Sequence, residues 1–160
     1  MATIKSRSKP LTHFYTVTAP YGNTTTVGYS LKANTGGVIA NGDSAVNPKV
    51  GDVIDLGELL EGFFLTDAQV FIADGLSTGA TGSLGFAYED GVDDIDVPQD
   101  AEYFIKAGAN LATAGRLRAN GNKLVVLPKP ARLILTLAGA ANAKAADIKV
   151  TVTGELTGAN

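Results

Sequence analysis

The chain has 160 residues with 19 glycines, one histidine and no cysteine or tryptophan. This length fits one domain with its own core, and the lack of cysteine excludes disulfides and thiolate metal sites. The net charge is only −3, but four cations and no acid occupy residues 1–40, fourteen acids and one cation occupy 41–102, and eight cations and two acids occupy 103–160. This segregation predicts surfaces of opposite sign that dock on a complementary neighbour or on another copy, unless folding brings the segments together and cancels the charge.

The first segment, residues 1–12, is predicted to be an extended basic arm. It contains little that a core would bury, so we expect a partner to order it, the alternative being a frayed terminus. The segment lacks the apolar stretch of a secretory signal, and no apolar run in the chain approaches the roughly 18 residues of a membrane span. These features predict a chain that is cytosolic when it is made and has no membrane partner. The predicted partner-binding residues are Lys5, Arg7, Lys9 and Pro10.

Short strands are predicted along most of the remaining chain, because apolar residues alternate with polar ones at period two. In residues 24–31 this alternation places Val27, Tyr29 and Leu31 on one face. Residues 33–50 are rich in Gly and Asn and predict a long loop that is either functional or held by contact with a neighbour. The other predicted strands are residues 13–18, 52–57, 68–73, 83–88 and 123–127, with a short strand or turn around Arg116 and Arg118.

One helix and one hairpin are predicted between these strands. Residues 99–108 suit a helix of one or two turns, with Asp100 as its cap and Gly108 at its end. The sequence Asn120-Gly121-Asn122 is typical of a tight hairpin turn.

The clearest alternation lies in residues 131–156. Leu133, Leu135 and Leu137 share one predicted face of the first strand, and Ile148, Val150 and Val152 share one face of the second. The connection between them is too long for a two-residue turn, which leaves either an antiparallel pair with a loose loop or two strands on different sheets.

Eight or nine short strands with one brief helix predict an all-β fold, an antiparallel β-sandwich of jelly-roll type over residues 13–160, preceded by the extended N-terminal arm. The glycines at 75, 79, 82 and 85 match neither spacing of a phosphate-binding loop, so they predict turns and bulges. No motif for a cofactor is present, and none is expected.

Catalytic and metal-binding patterns are weak. The only histidine, His13, has no nearby carboxylate and predicts a surface or edge residue. The acidic residues 89–100 do not follow the EF-hand order, so they predict a solvated or subunit-facing loop, with an irregular Ca²⁺ site as the alternative. A glycosidase would need only two carboxylates, drawn from Asp55, Glu58, Asp93 or Asp94.

Six stretches taken in order resemble the capsid decoration, or cement, proteins of tailed bacteriophages. They are Gly51–Gly57, Val70–Ile72, Leu84–Tyr88, Asp100–Phe104, Leu133–Leu137 and Asp147–Val152.

The resemblance implies a β-sandwich that sits as a dimer or trimer outside an icosahedral head and clamps major capsid subunits together. It implies no catalytic residues and synthesis in the host cytoplasm. The basic arm by itself fits an acidic surface or a nucleic-acid surface, and the prediction is a capsid partner and no nucleic acid. The alternative is a carbohydrate- or receptor-binding sandwich of a phage tail or fibre, which would need an exposed aromatic platform. The candidate tyrosines for that platform are Tyr15, Tyr21, Tyr29 and Tyr88.

Overall fold

The structure is a computed structural model that describes residues 1–5 and 24–157. These residues form ten strands and no helix. The strands are β1 (Thr3–Lys5), β2 (Thr24–Ala33), β3 (Val53–Leu59), β4 (Phe63–Asp74), β5 (Thr81–Tyr88), β6 (Asp100–Asn110), β7 (Gly115–Arg118), β8 (Val125–Val126), β9 (Ala131–Ala138) and β10 (Ala146–Leu156).

The strands form two sheets. Sheet one has the order β1-β3-β9-β5-β6, with β1 parallel to β3 and the remaining pairs antiparallel. Sheet two has the order β2-β10-β4-β7. Strand β7 pairs with residues 69–72 of β4, and β8 pairs with residues 64–65 of the same strand. The sheets pack in a sandwich-like arrangement, and the predicted all-β fold of antiparallel sheets is confirmed to this extent.

The core lies between the sheets and follows from the alternation of apolar residues. Leu133, Leu135 and Leu137 on β9 are buried, and so are Ile148 and Val152 on β10. Strand β9 belongs to sheet one and β10 to sheet two. Of the two arrangements predicted for residues 131–156, two strands on different sheets is therefore correct. Facing rows of branched apolar side chains are what holds two sheets about 10 Å apart in a sandwich.

The predicted helix at residues 99–108 is wrong, because Asp100–Asn110 is strand β6. The helix would have buried Ala101 with Phe104 and Ile105, whereas Ala101 is exposed and the consecutive residues Tyr103, Phe104 and Ile105 are all buried. Register shifts in the β5–β6 pairing accommodate this run, since a bulge turns an extra side chain inward.

Tyr103 gives the physical reason for the strand. Its hydroxyl lies 2.9 Å from the Lys123 carbonyl oxygen, to which it donates, and it accepts a hydrogen bond from the Val125 N–H at 3.2 Å. The side chain therefore spans from sheet one to the segment that enters β8 of sheet two. This tertiary contact outweighs the local helical pattern of residues 99–108.

The predicted hairpin at Asn120–Asn122 is also wrong. Strands β7 and β8 flank this turn sequence, but both pair with β4 and not with each other. Asn120 contacts β6 instead, where its N–H donates to the Phe104 carbonyl oxygen at 2.8 Å and its Oδ1 accepts from the Lys106 N–H at 3.0 Å.

Residues 34–52 form a loop, as predicted, that is held by contacts within the chain. The side chain of Asn142 is completely buried and donates to the carbonyl oxygens of Gly37 and Lys144 at 3.2 and 2.9 Å. Its Oδ1 accepts from the Ser77 N–H at 3.1 Å, so one amide joins three loops. Contacts within the chain therefore hold this long segment.

The start of the predicted arm is part of the body. Thr3–Lys5 pairs with Val53–Asp55, and Ile4 is only 3% exposed. Residues 6–12 and the predicted strand at residues 13–18 lie outside the described residues. An arm over 1–12 and a boundary at residue 13 therefore stay predictions, with the first five residues anchored in sheet one.

Candidate partner-binding surfaces

Lys5 is the one predicted partner-binding residue that the structure describes. Its N–H donates to Asp43 Oδ1 at 2.9 Å, and its carbonyl oxygen accepts from the Asp43 N–H at 3.2 Å, while its side chain is exposed. The chain thus leaves sheet one from a fixed point with a cation at its surface. Arg7, Lys9 and Pro10 lie outside the described residues, and their role stays a prediction.

Asp52 fixes the first residues further. Its Oδ1 accepts from the Ala2 N–H at 2.8 Å and its Oδ2 accepts from the Lys49 N–H at 2.9 Å. These two backbone hydrogen bonds, the one from Lys49 contributing most, lower the pKa of Asp52 because they stabilise the carboxylate. The first residues of the chain are therefore held at sheet one by a charged side chain as well as by strand pairing.

A shallow groove of about 640 Å³ crosses the outer face of sheet one. An ion pair lies in it, because Arg132 Nε contacts Asp55 at 2.9 Å, and Arg132 Nη1 lies 3.3 Å from Glu58. The other lining residues include Thr3, Val53, Ala87 and Ile134. Both candidate carboxylates of this region are thus held by one guanidinium, which joins β9 to β3.

The acidic residues 89–99 form an ordered loop, which we call the acidic loop. Asp93 Oδ1 accepts from the Gln99 N–H at 2.7 Å, and Asp94 Oδ1 accepts from the N–H groups of Asp96 and Val97 at 3.0 and 2.9 Å. These carboxylates close turns within the loop. The loop presents Ile95, which is 94% exposed, at the surface.

Two side chains fasten the base of the acidic loop. Lys129 Nζ contacts Asp90 at 2.8 Å and the Val92 carbonyl oxygen at 2.6 Å, and the buried Tyr88 hydroxyl donates to the Val97 carbonyl oxygen. The hydrogen bond from Lys129 is the largest cause that lowers the pKa of Asp90. Burial and then the neighbouring aspartates raise the pKa of Tyr88 to about 12. The loop is therefore prearranged before any partner binds.

The outer face of sheet two carries a basic-aromatic face, which we define as Phe71, Lys149, Arg116, Arg118 and Gln69. Strand register places Lys149 and Arg116 on either side of Phe71, and Arg118 beside Gln69. The Arg116 Cζ atom lies 4.5 Å from the centre of the partly exposed Phe71 ring. The sequence predicted that Lys149 faces outward, but the row itself depends on pairing between distant strands.

The charge segregation of the sequence is partly cancelled by folding. Lys129, Arg132 and Lys144 from the cationic third of the chain pair with Asp90, Asp55 and Asp74 from its acidic third. Folding therefore cancels part of the segregated charge, whereas the acidic loop and the basic-aromatic face keep exposed charges of opposite sign. Docking through such surfaces stays a prediction.

The geometry of the described residues does not support the metal site or the sugar-binding platform considered from the sequence. In residues 1–5 and 24–157, no group of three or more His, Asp or Glu side chains is placed to hold a metal ion. The same residues contain no helix long and apolar enough to cross a membrane. Tyr29 and Tyr88 are 3% and 4% exposed, so they do not form the sugar-binding platform considered from the sequence. His13, Tyr15 and Tyr21 fall in a part of the chain that the structure does not describe.

The fold is shared with two chains from phage capsids. A chain from the capsid of Ralstonia phage GP4 is similar with a TM-score of 0.64 and 19% identity, over 99% of this chain and 100% of that chain. A chain from the cyanophage Pam1 capsid asymmetric unit is similar with a TM-score of 0.57 and 17% identity, over 88% and 92%. No protein-family model and no curated protein sequence matches the chain.

Proposed function

We propose that this chain is a virion structural protein of the capsid decoration, or cement, class. It binds the outer surface of a phage head and stabilises contacts between major capsid subunits. The observation that carries this proposal is the similarity to a chain from the Ralstonia phage GP4 capsid along 99% of this chain and 100% of that one. A fold alone does not fix a function, so the role rests also on the surfaces described above.

The described surfaces suit a protein that works by contact. Lys5 and Glu89 of the acidic loop line the groove of sheet one, whereas the basic-aromatic face lies on sheet two. Arg132 holds Asp55 and Glu58. Modest contacts repeated over a symmetric shell give tight overall binding through avidity. The role is therefore structural and not enzymatic, with no cofactor.

The predicted arm supplies the tether in this proposal. Lys5 ends β1 at the edge of sheet one, so Arg7, Lys9 and Pro10 follow from an anchored position. An arm that starts from a fixed point loses less conformational entropy on binding than one that starts from a mobile terminus. The cations would bind acidic patches of the major capsid protein.

The proposal also covers the sandwich type, the oligomeric state, the location and the partners. The sandwich is of jelly-roll type, the free protein is a dimer or trimer, and its site is the exterior of the virion. It binds neither nucleic acid nor membrane, and its partner is the major capsid protein. Light scattering of the free protein gives the oligomeric state, and cryo-electron microscopy of occupied heads gives the location.

The direct test adds purified protein to heads assembled without it and measures co-sedimentation and thermal stability of the heads. We expect saturable binding and a raised disruption temperature. A protein that stays in the supernatant at every ratio would contradict the proposed function.

The arm is tested by substitution, because deletion of residues 1–12 would also remove β1 and the buried Ile4. The variant Arg7→Glu with Lys9→Glu should lose occupancy on heads. The matched control is Lys106→Glu with Lys123→Glu, which makes the same charge change at exposed positions away from β1 and Asp52. Equal occupancy of both variants would remove the arm from the proposal without removing head binding.

A further inference from the structure

The basic-aromatic face has the properties of an interaction surface. Lys149, Arg116 and Arg118 are exposed, and none of the three forms an ion pair with a carboxylate of residues 1–5 or 24–157. Phe71 lies between two of them as a partly exposed apolar centre. Three cations without a carboxylate partner in the described part of the chain, two of them beside an aromatic ring, favour a partner with an apolar tip surrounded by acids.

The acidic loop of the same chain has that pattern with the opposite sign. Ile95 is 94% and Val92 is 61% exposed, and Glu89, Asp93 and Asp96 beside them are exposed as well. Ile95 and Val92 therefore give this charged loop apolar area that a partner can bury.

The geometry points to docking between copies of this chain, in which the acidic loop of one copy lies on the basic-aromatic face of another. Ile95 would pack on Phe71, and the acids around it would pair with Lys149, Arg116 and Arg118. The two regions lie on different sheets, and Lys129 and Tyr88 hold the loop beside sheet one. The acidic loop of one molecule would therefore contact the basic-aromatic face of the next molecule. This contact does not depend on the capsid role, since it is a property of the free protein.

Two physical features favour this contact. The turns closed by Asp93 and Asp94 prearrange the loop, so docking orders few additional groups. The loop and the face are different surfaces, so the contact is heterologous and closes into a ring if the rotation between copies permits. The proposed trimer would be such a ring, whereas a dimer would need two reciprocal contacts.

The proposed contact between the acidic loop and the basic-aromatic face is tested by charge reversals at exposed positions. The face variant is Arg116→Glu with Lys149→Glu. The loop variant is Glu89→Lys with Asp96→Lys, which keeps the turn-closing carboxylates of Asp93 and Asp94. The control is Lys49→Glu with Lys106→Glu, exposed residues outside both regions. Sedimentation velocity at low and high salt measures association, and circular dichroism checks that each variant folds.

We expect the wild type and the control to self-associate at low salt and to weaken as salt screens the charges. The face variant and the loop variant alone should each associate about 100-fold more weakly, because like charges would then meet. An equimolar mixture of the two, and a single chain that carries all four substitutions, should recover association because the charges are again complementary.

Three outcomes would overturn the inference. One is a wild type that stays monomeric at its solubility limit in low salt. Another is association that neither reversal weakens. The third is folded variants whose mixture and whose combined form both fail to recover, in which case the reversals would have disrupted some other contact of these residues.

Discussion

Arg132 on β9 binds the almost fully buried carboxylate of Asp55 on β3, with its Nε at 2.9 and 3.1 Å from the two oxygens. The side chains are 23% and 5% exposed, so water screens this pair poorly. We predict that Arg132→Met destabilises the protein by roughly 2–3 kcal/mol, somewhat less than the loss of one partner from a fully buried pair. Chemical denaturation measures the free energy of unfolding.

The matched control for this prediction is Lys144→Met, which removes an ion pair of 2.8 Å with Asp74 whose side chains are 47% and 53% exposed. Its expected cost is below about 1 kcal/mol because exposed pairs are well solvated. The double variant Asp55→Asn with Arg132→Met should recover part of the loss, since the unpaired charge is gone. Equal costs for the two single variants would contradict the argument.

Asn142 is expected to hold the long loop through its buried amide. Asn142→Ala would leave the Gly37 carbonyl, the Ser77 N–H and the Lys144 carbonyl without this partner. We predict a loss of roughly 2–4 kcal/mol, since each buried unsatisfied group costs about 1–3 kcal/mol and the costs are not additive. Hydrogen exchange should rise in residues 34–52.

Asn34→Ala is the comparison for that change, because Asn34 also bonds loop N–H groups, those of Gly36 and Val38, but is exposed. Water replaces these hydrogen bonds, so the expected cost is about 1 kcal/mol or less. If both substitutions cost the same, burial of Asn142 is not what orders the loop.

Gly85 is expected to be intolerant of any side chain. A Cβ atom at this position would lie 2.0 Å from the Asp100 carbonyl oxygen and 2.4 Å from the Ala101 carbonyl carbon. We predict that Gly85→Ala destabilises by about 3 kcal/mol, because β5 and β6 would have to separate. Gly28→Ala has open space around the new atom and should stay within about 0.5 kcal/mol of the wild type. Thermal denaturation of the two variants separates crowding from the general effect of losing a strand glycine.

Tyr88 makes stability depend on alkaline pH. Burial, followed by Asp94, Asp93 and Asp90, raises the pKa of Tyr88 from 10.0 to about 12 in the folded protein. Below about pH 10 the phenol is neutral in the folded and in the unfolded protein, so the contribution of Tyr88 to the free energy of unfolding is fully present. As the pH rises from about 10 to about 12 the unfolded chain ionises first, and the contribution is lost.

Tyr88→Phe should therefore flatten the alkaline fall of the unfolding free energy, even though it removes the hydrogen bond to Val97 and lowers stability near neutral pH. Denaturation curves from about pH 8 to about pH 12 measure the difference between the two proteins. Curves that fall in parallel across this window would show that Tyr88 does not carry the effect. The pKa of Tyr103 is raised as well, mainly by burial, so some fall should remain in the variant.

Local alternation predicted the inner rows well. Val27, Tyr29 and Leu31 on β2 are all buried, as are the inward rows of β9 and β10. The reason is that the side-chain period of a strand is a property of the strand itself. The same reasoning failed at residues 99–108, where a bulged pairing and the Tyr103 hydrogen bonds override the local pattern.

The sequence by itself determined that this protein is built of strands with one apolar face each, and that its charges are unevenly distributed. Only the tertiary structure decided which strands pair and in what register. The row formed by Lys149, Phe71 and Arg116 brings together residues from three separate strands, and Arg132 reaches Asp55 from 77 positions away. Contacts of this kind depend on how the whole chain closes its core, because no local pattern encodes the alignment of distant strands.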